Sequence, residues 1–163
     1  MLSIMPFRRN HTSAELARQA ERMMRNGQHA RDIADRFRSA LEKAVEEEAR
    51  GGRPSGAFDY ALKSSRHYEQ AARGMASGVI LMHMVSGDHL DAAVRLGEKA
   101  GNFENAAEML EKALPLAKGA GEERDLLHRI GVLSNDAIAA RRQANYVGEL
   151  GTKPLTTARR VQA

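Results

Sequence analysis

The sequence predicts an all-α protein, built either as stacked antiparallel helical hairpins or as one long α-helical hairpin bundle. Its composition favours helix over most of the chain, with 4% aromatic residues and only 4 prolines in 163 residues. Apolar residues recur three and four positions apart, as on the buried face of an amphipathic helix. We find no stretch that alternates as a half-buried strand does.

Clusters of glycine and small polar residues divide the chain in two alternating series. The first series is Gly51-Gly52-Arg53-Pro54, Ser86-Gly87-Asp88 and Gly119-Ala120-Gly121. The second series is Asn26-Gly27, Ser64-Ser65, Gly101-Asn102 and Ser134-Asn135-Asp136. Glycine suits the end of one helix, and Ser, Asn or Asp the start of the next. Together the two series predict four helix-turn-helix units at 13–50, 55–86, 88–118 and 122–149.

These units form one predicted helical domain, residues 13–149, between two ends that we expect to be flexible and basic, 1–12 and 150–163. The longest apolar run, Gly78 to Val85, predicts a buried helix, because a membrane-spanning helix needs about 20 residues. Met1 to Arg9 places its charges after its apolar residues, the reverse of a secretory signal. We therefore expect a cytoplasmic protein, and a short organellar transit segment stays open.

An internal repeat favours the hairpin interpretation. Tyr68-Glu69-Gln70-Ala71-Ala72 recurs 35 residues later as Phe103-Glu104-Asn105-Ala106-Ala107. The second copy and its flanks resemble the second repeat helix of the tetratricopeptide-like helical repeat superfamily, and part of the last unit resembles a first repeat helix. The residues that carry this resemblance are Gly101 to Ala106, Leu110, Ala113 and Leu114, then Leu127, Ile130 and Gly131. It implies stacked hairpins with a concave peptide-binding face.

Pro115 departs from that family pattern. Proline lacks a backbone donor, so this helix is expected to stop or kink near Leu114. The Lys-Asn-Lys-Arg pattern with which such repeats hold a terminal carboxylate is also missing, which leaves the type of ligand open.

A second resemblance competes with the first. Several segments are similar to ESCRT-III membrane-remodelling subunits: Phe7-Arg8-Arg9, Thr12 to Gln19, Ala57 to Ala61 ahead of Arg66, and Met75-Ala76-Ser77. This resemblance implies a long coiled-coil hairpin with two unbroken seams. The seams are 16, 20, 23, 27, 30, 34, 37, 41, 44 and 57, 61, 64, 68, 71, 75, 78, 82, 85. One seam crosses Gly27, where a helix-interior glycine costs about 1 kcal/mol relative to alanine.

Side chains suited to covalent or metal chemistry are not arranged for it. The chain has no cysteine, and no two of its 6 histidines are four residues apart on one helical face. Glu46-Glu47-Glu48 point about 100° apart around a helix and cannot converge on one atom. The methionines Met75, Met82 and Met84 are expected in the core rather than in an adaptable groove. We expect no enzyme, no cofactor and no metal.

Under the repeat interpretation, the first helix of each unit lines a concave groove. The predicted groove residues are Arg18, Arg22, Arg25, Tyr60, Lys63, Arg95, Lys99, His128 and Asn135. Such a groove is net positive although Asp91 and Glu98 share it, and it would suit an acidic or phosphorylated peptide, or a helix with an acidic face. The alternative is that these cations pair with acids one turn away.

The sequence thus predicts a non-enzymatic protein–protein interaction module, an adaptor or chaperone-like helical repeat. Two alternatives stay open: a self-assembling membrane-associated hairpin with Met1 to Arg9 as interfacial anchor, and a structural subunit of a larger complex. A homo-oligomer is compatible with each. Nucleic acid is not favoured, since the net charge of +4 comes from 25 basic and 21 acidic residues that are well interleaved.

Overall fold

The structure is a computed structural model that describes residues 12–52 and 56–161, with side chains described as far as Thr152. Its four long helices are α1 (Ser13–Ala49), α2 (Ala57–Ser86), α3 (His89–Ala113) and α4 (Ala120–Val161), with a 3-10 turn at Leu114–Leu116. No strand occurs within the described ranges. The predicted all-α fold is confirmed, in the form of a bundle of long antiparallel helices.

Local signals begin and end these helices. At the start of α1, the Thr12 hydroxyl accepts from the Glu15 N–H at 3.3 Å and the Glu15 carboxylate accepts from the Thr12 N–H at 3.1 Å, which is a reciprocal capping box. At the start of α3, the Asp88 carboxylate accepts from the Asp91 N–H at 3.0 Å. Between α2 and α3, Gly87 has a φ of 65°. Glycine tolerates this left-handed backbone, so the chain reverses within two residues.

Pro115 ends α3 as predicted. The α-helix stops at Ala113, and Pro115 lies in the 3-10 turn that follows. Proline has no N–H to continue the α-helical hydrogen bonds. Helix α4 then begins at Ala120, where the Glu122 carboxylate accepts from the Lys118 N–H at 2.7 Å.

The four predicted helix-turn-helix units are wrong, because each unit is essentially one helix. The first series of turn signals does separate helices, but the second lies inside them, at Asn26-Gly27 in α1, Ser64-Ser65 in α2, Gly101-Asn102 in α3 and Ser134-Asn135-Asp136 in α4. Ser64 and Ser65 instead donate to the carbonyls of Ala34 and Ala106 on neighbouring helices, at 2.9 and 2.8 Å. Small polar residues here serve helix contact rather than helix termination.

The two long seams are confirmed as the contact between α1 and α2. The α2 seam is buried at every position from Ala57 to Gly78, and the α1 seam is buried or half-buried throughout. The helices run antiparallel, since Gly27 lies against Met75 whereas Phe37 lies near Tyr60. A Cβ on Gly27 would lie 2.5 Å from the Met75 Cγ. Close approach of the two helices therefore accounts for this glycine.

Each helix packs against the next in sequence, and ion pairs join alternate helices. Arg38 of α1 reaches Glu108 of α3, with 3.1 Å between nitrogen and oxygen. Arg73 of α2 reaches Asp136 of α4 at 3.4 Å. Thus α1 and α3 lie on one side of the stack and α2 and α4 on the other, and α1 and α4 form its two outer edges.

The core divides into two clusters along the bundle. The large cluster contains most of the bulky buried side chains, including Leu41, Tyr68, Phe103, Met109, Leu110 and Leu133. The small cluster contains Val79, Ala92, Leu96, Ala144 and Val147. The small cluster lies toward the α2–α3 connection, and the large cluster toward the α1–α2 and α3–α4 connections.

Two expectations concern the ends of the chain. Helix α4 runs through Val161 and so includes most of the tail predicted at 150–163, whose flexibility stays a prediction. Helix-forming residues such as Leu155, Ala158 and Arg159 continue α4 there. Residues 162 and 163, and residues 1–11 of the predicted N-terminal segment, lie outside the described residues.

Candidate binding surface

The nine predicted groove residues lie at two ends of the bundle rather than along one groove. Those of α1 and α3 (Arg18, Arg22, Arg25, Arg95, Lys99) share one end, and those of α2 and α4 (Tyr60, Lys63, His128, Asn135) share the other. Consecutive helices are antiparallel, so the N-terminal halves of neighbours are far apart. From Gly78, which contacts Met24, to Tyr60 is 18 residues of α2, or about 27 Å at the ideal rise. A single groove lined by all nine is therefore not formed.

Two of these cations are paired on their own helices, as the alternative interpretation expected. Lys63 lies 2.8 Å from the carboxylate of Asp59, and Arg95 lies 2.9 Å from that of Asp91. Exposed pairs of this kind contribute about 0.2–1 kcal/mol. Their charge is locally balanced, so these two residues attract an acidic ligand less than free cations would.

The arginines of α1 belong to a longer row on the outer edge of the helix. This row, which we call the basic edge, consists of Arg18, Arg22, Arg25, His29, Arg36 and Lys43. The spacings of four, three, four, seven and seven residues keep all six side chains on one helical face, and all six are exposed. The row runs for about 37 Å at 1.5 Å per residue.

Charges within the bundle leave the basic edge unneutralised. Within the described ranges, no carboxylate forms an ion pair with Arg18, Arg22, Arg25, Arg36 or Lys43. By contrast, the inward-facing Arg38 of the same helix contacts both Glu42 and Glu108. The outer face of α1 thus presents more positive than negative charge to solvent, with the exposed Asp32 and Glu47 on the same face.

The inner face of α1 is held by a polar cluster that joins three helices. The Tyr68 hydroxyl of α2 donates to the Asp35 carboxylate, and the Arg38 guanidinium donates to Glu108 of α3 at 3.1 Å. Tyr68 is only 1% exposed. Burial, then the hydrogen bond with Asp35, raises the pKa of its phenol. Hydrogen bonding with Tyr68, then the charge of Glu108, raises the pKa of Arg38. These contacts fix which face of α1 is turned outward.

Histidines 83 and 89 meet across the α2–α3 connection, with 2.7 Å between the His83 Nε2 and the His89 Nδ1. This contact was not predicted from the sequence. The sequence feature that could have predicted it is the position of the two histidines on either side of a two-residue connection between antiparallel helices. No group of three or more potential metal ligands comes together in the part of the chain that the structure describes.

No family model matches this chain, and neither does any curated protein or solved structure. In the ranges covered by the structure, none of the helices combines the length and the apolar character needed to cross a bilayer. The functional proposal therefore rests on the geometry and charge of the bundle itself.

Proposed function

We propose that the protein is a non-enzymatic binding protein that attaches to an anionic membrane surface through the basic edge of α1. One observation carries this proposal: the exposed cations of the basic edge have no ion-pair partners in the described bundle and follow one face of a continuous helix. A straight row of cations on an outer edge matches an extended anionic surface better than it matches a segment enclosed in a groove.

The magnitudes are sufficient for such attachment. Each Lys or Arg near an anionic leaflet contributes on the order of 1 kcal/mol, so the basic edge can bind without inserting apolar side chains. The sequence ahead of α1 adds Arg8 and Arg9 behind Leu2, Ile4 and Phe7. Apolar and basic residues together are the composition of an interfacial anchor. This supports a membrane-associated helical hairpin over a peptide-binding groove.

An acidic protein partner is the second candidate, and one observation favours it. Arg18, Arg22 and Arg25 share one end of the bundle with Arg95 and Lys99. An acidic helix lying across that end would contact α1 and α3 together. In this form, the predicted protein-interaction module would use these five of the nine predicted groove residues.

Vesicle co-sedimentation tests the membrane proposal. The wild type is expected to bind vesicles that contain phosphatidylserine at low ionic strength and to dissociate at high ionic strength, because salt screens exposed charges. The double variant Arg18→Glu/Arg22→Glu is expected to lose this binding. Its matched control is Arg66→Glu/Lys118→Glu, which changes two exposed cations outside the basic edge. Both variants have a formal net charge of zero in place of +4.

The comparison between the two variants decides the outcome. Equal loss of binding in both would mean that only net charge matters and would overturn the role of the basic edge. Failure of the wild type to bind at low ionic strength would overturn the membrane proposal. If an acidic peptide such as polyglutamate then bound the wild type but not Arg18→Glu/Arg22→Glu, the acidic-protein candidate would replace it. Circular dichroism should show equal helicity in all three proteins.

A further inference from the structure

The outer edge of α4 carries large apolar side chains that the bundle leaves exposed. Leu127, Ile138 and Tyr146 are 51%, 51% and 62% exposed. With three more exposed residues they form a row that we call the α4 edge: Arg124, Leu127, Gly131, Ile138, Tyr146 and Glu149. At 3.6 residues per turn these positions fall within about 100° of the helix circumference. This arc is separate from the buried face of α4, which contains Leu126, Leu133, Ala137 and Ala144.

The two ends of the α4 edge carry opposite charges that the bundle does not use. None of the described residues forms an ion pair with Arg124 or Glu149. Asp136 and Arg141 of α4 are paired with Arg73 and Glu104. The exposed Arg142 lies in the same arc as the α4 edge and also forms no ion pair with a described residue. Three unpaired charges, Arg124, Arg142 and Glu149, thus lie along the exposed apolar row.

We infer that the α4 edge pairs with the same edge of a second copy of this chain, in antiparallel orientation about a twofold axis. When the axis passes between Asp136 and Ala137, Arg124 lies opposite the partner's Glu149 and Leu127 opposite the partner's Tyr146. A single register forms both pairs, because residues 124 and 149 have the same midpoint in the sequence as residues 127 and 146. The twofold axis repeats each contact, as in any isologous interface. Parallel pairing in register would instead oppose Arg124 to Arg124.

Gly131 is compatible with this choice of occupant, and it differs from the equally open Gly97 and Gly101 only in its place on the α4 edge. A Cβ at Gly131 would meet nothing within 4 Å in the single chain, so the bundle itself does not require glycine there. A glycine inside a helix costs about 1 kcal/mol relative to alanine. A second helix that approaches closely over this position gives the glycine a structural role. The α4 edge lies on the opposite outer edge of the stack from the basic edge, so pairing does not depend on membrane attachment.

A charge exchange tests the ion pairs. Sedimentation equilibrium is expected to show a concentration-dependent dimer for the wild type. Arg124→Glu and Glu149→Arg should each weaken the dimer roughly tenfold, because each places like charges together twice. The double variant Arg124→Glu/Glu149→Arg should restore wild-type affinity. A wild type that stays monomeric at all concentrations, or a double variant weaker than both single ones, would overturn the inference.

Disulfide cross-linking tests the register, since the chain has no cysteine of its own. A mixture of Leu127→Cys and Tyr146→Cys is expected to form a disulfide heterodimer on mild oxidation. Leu127→Cys alone should not, because two copies of this position lie about 28 Å apart along the helix axes, beyond the reach of a disulfide. Val94→Cys, 64% exposed on α3, is the control for random collision. Efficient self-linking of Leu127→Cys would show a parallel pair and reject the antiparallel one.

Discussion

The two core clusters differ in side-chain size much more than in burial. The large cluster includes Tyr68 and Phe103, whereas the buried members of the small cluster are one leucine, two valines and two alanines. In both, these buried side chains are at most 9% exposed. Apolar burial stabilises by about 25 cal/mol per Å², so larger side chains concentrate stability in one half of the bundle. The other half depends on close approach between small residues, and Arg18, Arg22 and Arg25 lie there.

Matched leucine truncations should produce the largest difference between the halves. Leu110 in the large cluster is 2% exposed and Leu96 in the small cluster is 3% exposed. Leu110→Ala is expected to lower the free energy of unfolding by about 3–5 kcal/mol and Leu96→Ala by about 2–3 kcal/mol, because a site among small side chains relaxes more easily around the cavity. Urea denaturation followed by circular dichroism measures both. Equal losses, or a greater loss for Leu96→Ala, would contradict the uneven core.

A pair of glycine substitutions tests close approach in the lightly packed half. An added Cβ at Gly27 would lie 2.5 Å from the Met75 Cγ and 3.3 Å from the Ala71 carbonyl oxygen. We expect Gly27→Ala to destabilise by about 1–3 kcal/mol through overpacking. At Gly97 a Cβ would meet nothing within 4 Å, so Gly97→Ala should stabilise by about 0.5–1 kcal/mol through helix propensity. Thermal unfolding measures both, and a stabilising Gly27→Ala would show that α1 and α2 can separate without cost.

Tyr68→Phe should destabilise the protein at neutral pH by about 1–2 kcal/mol, from loss of the hydrogen bond to Asp35. The effect that distinguishes this variant from the wild type is on the pH dependence of stability at alkaline pH. Burial raises the pKa of Tyr68 above the value of about 10 in the unfolded chain. The resulting stabilisation is complete below that pH and is lost as the pH rises through the folded-state pKa. Urea midpoints above pH ~10 should therefore fall less steeply for Tyr68→Phe than for the wild type.

The control for this experiment is Tyr146→Phe, because Tyr146 is 62% exposed. Its stability and the slope of its alkaline transition should match those of the wild type at low protein concentration. If both variants flattened the alkaline transition equally, the effect could not come from the buried phenol.

Periodicity in the sequence predicted the helices and the seams because burial on one helical face leaves a regular pattern. It also placed the end of α3 at Pro115 and the reversal at Gly87 correctly. The second series of turn signals misled the prediction, because Ser64, Gly27 and Asn102 have the same local chemistry whether they end a helix or contact another one. Only the tertiary partner distinguishes the two roles, as the bond from Ser64 to the Ala34 carbonyl shows.

The basic edge was predicted only in part for the same reason. Arg18, Arg22 and Arg25 were identified, but a break at Gly27 would have assigned Arg36 and Lys43 to another helix. The signal that links them is the spacing of seven residues, which continues beyond that glycine. Residues on α2 and α4 were added to the same groove because their helices were assumed to run parallel to α1 within a repeat.

Asn102 favours one register of α3 against α2. Its amide is fully buried, with the Nδ2 donating to the Met75 sulfur at 3.3 Å and no described partner for the Oδ1. An amide in apolar surroundings costs stability, and sliding α3 by one turn would remove even the sulfur contact. Misaligned states are therefore penalised more than the native one, as with a polar residue inside a coiled coil. A leucine at this position would stabilise the packing of α2 against α3 but would no longer favour one register of the two helices over another.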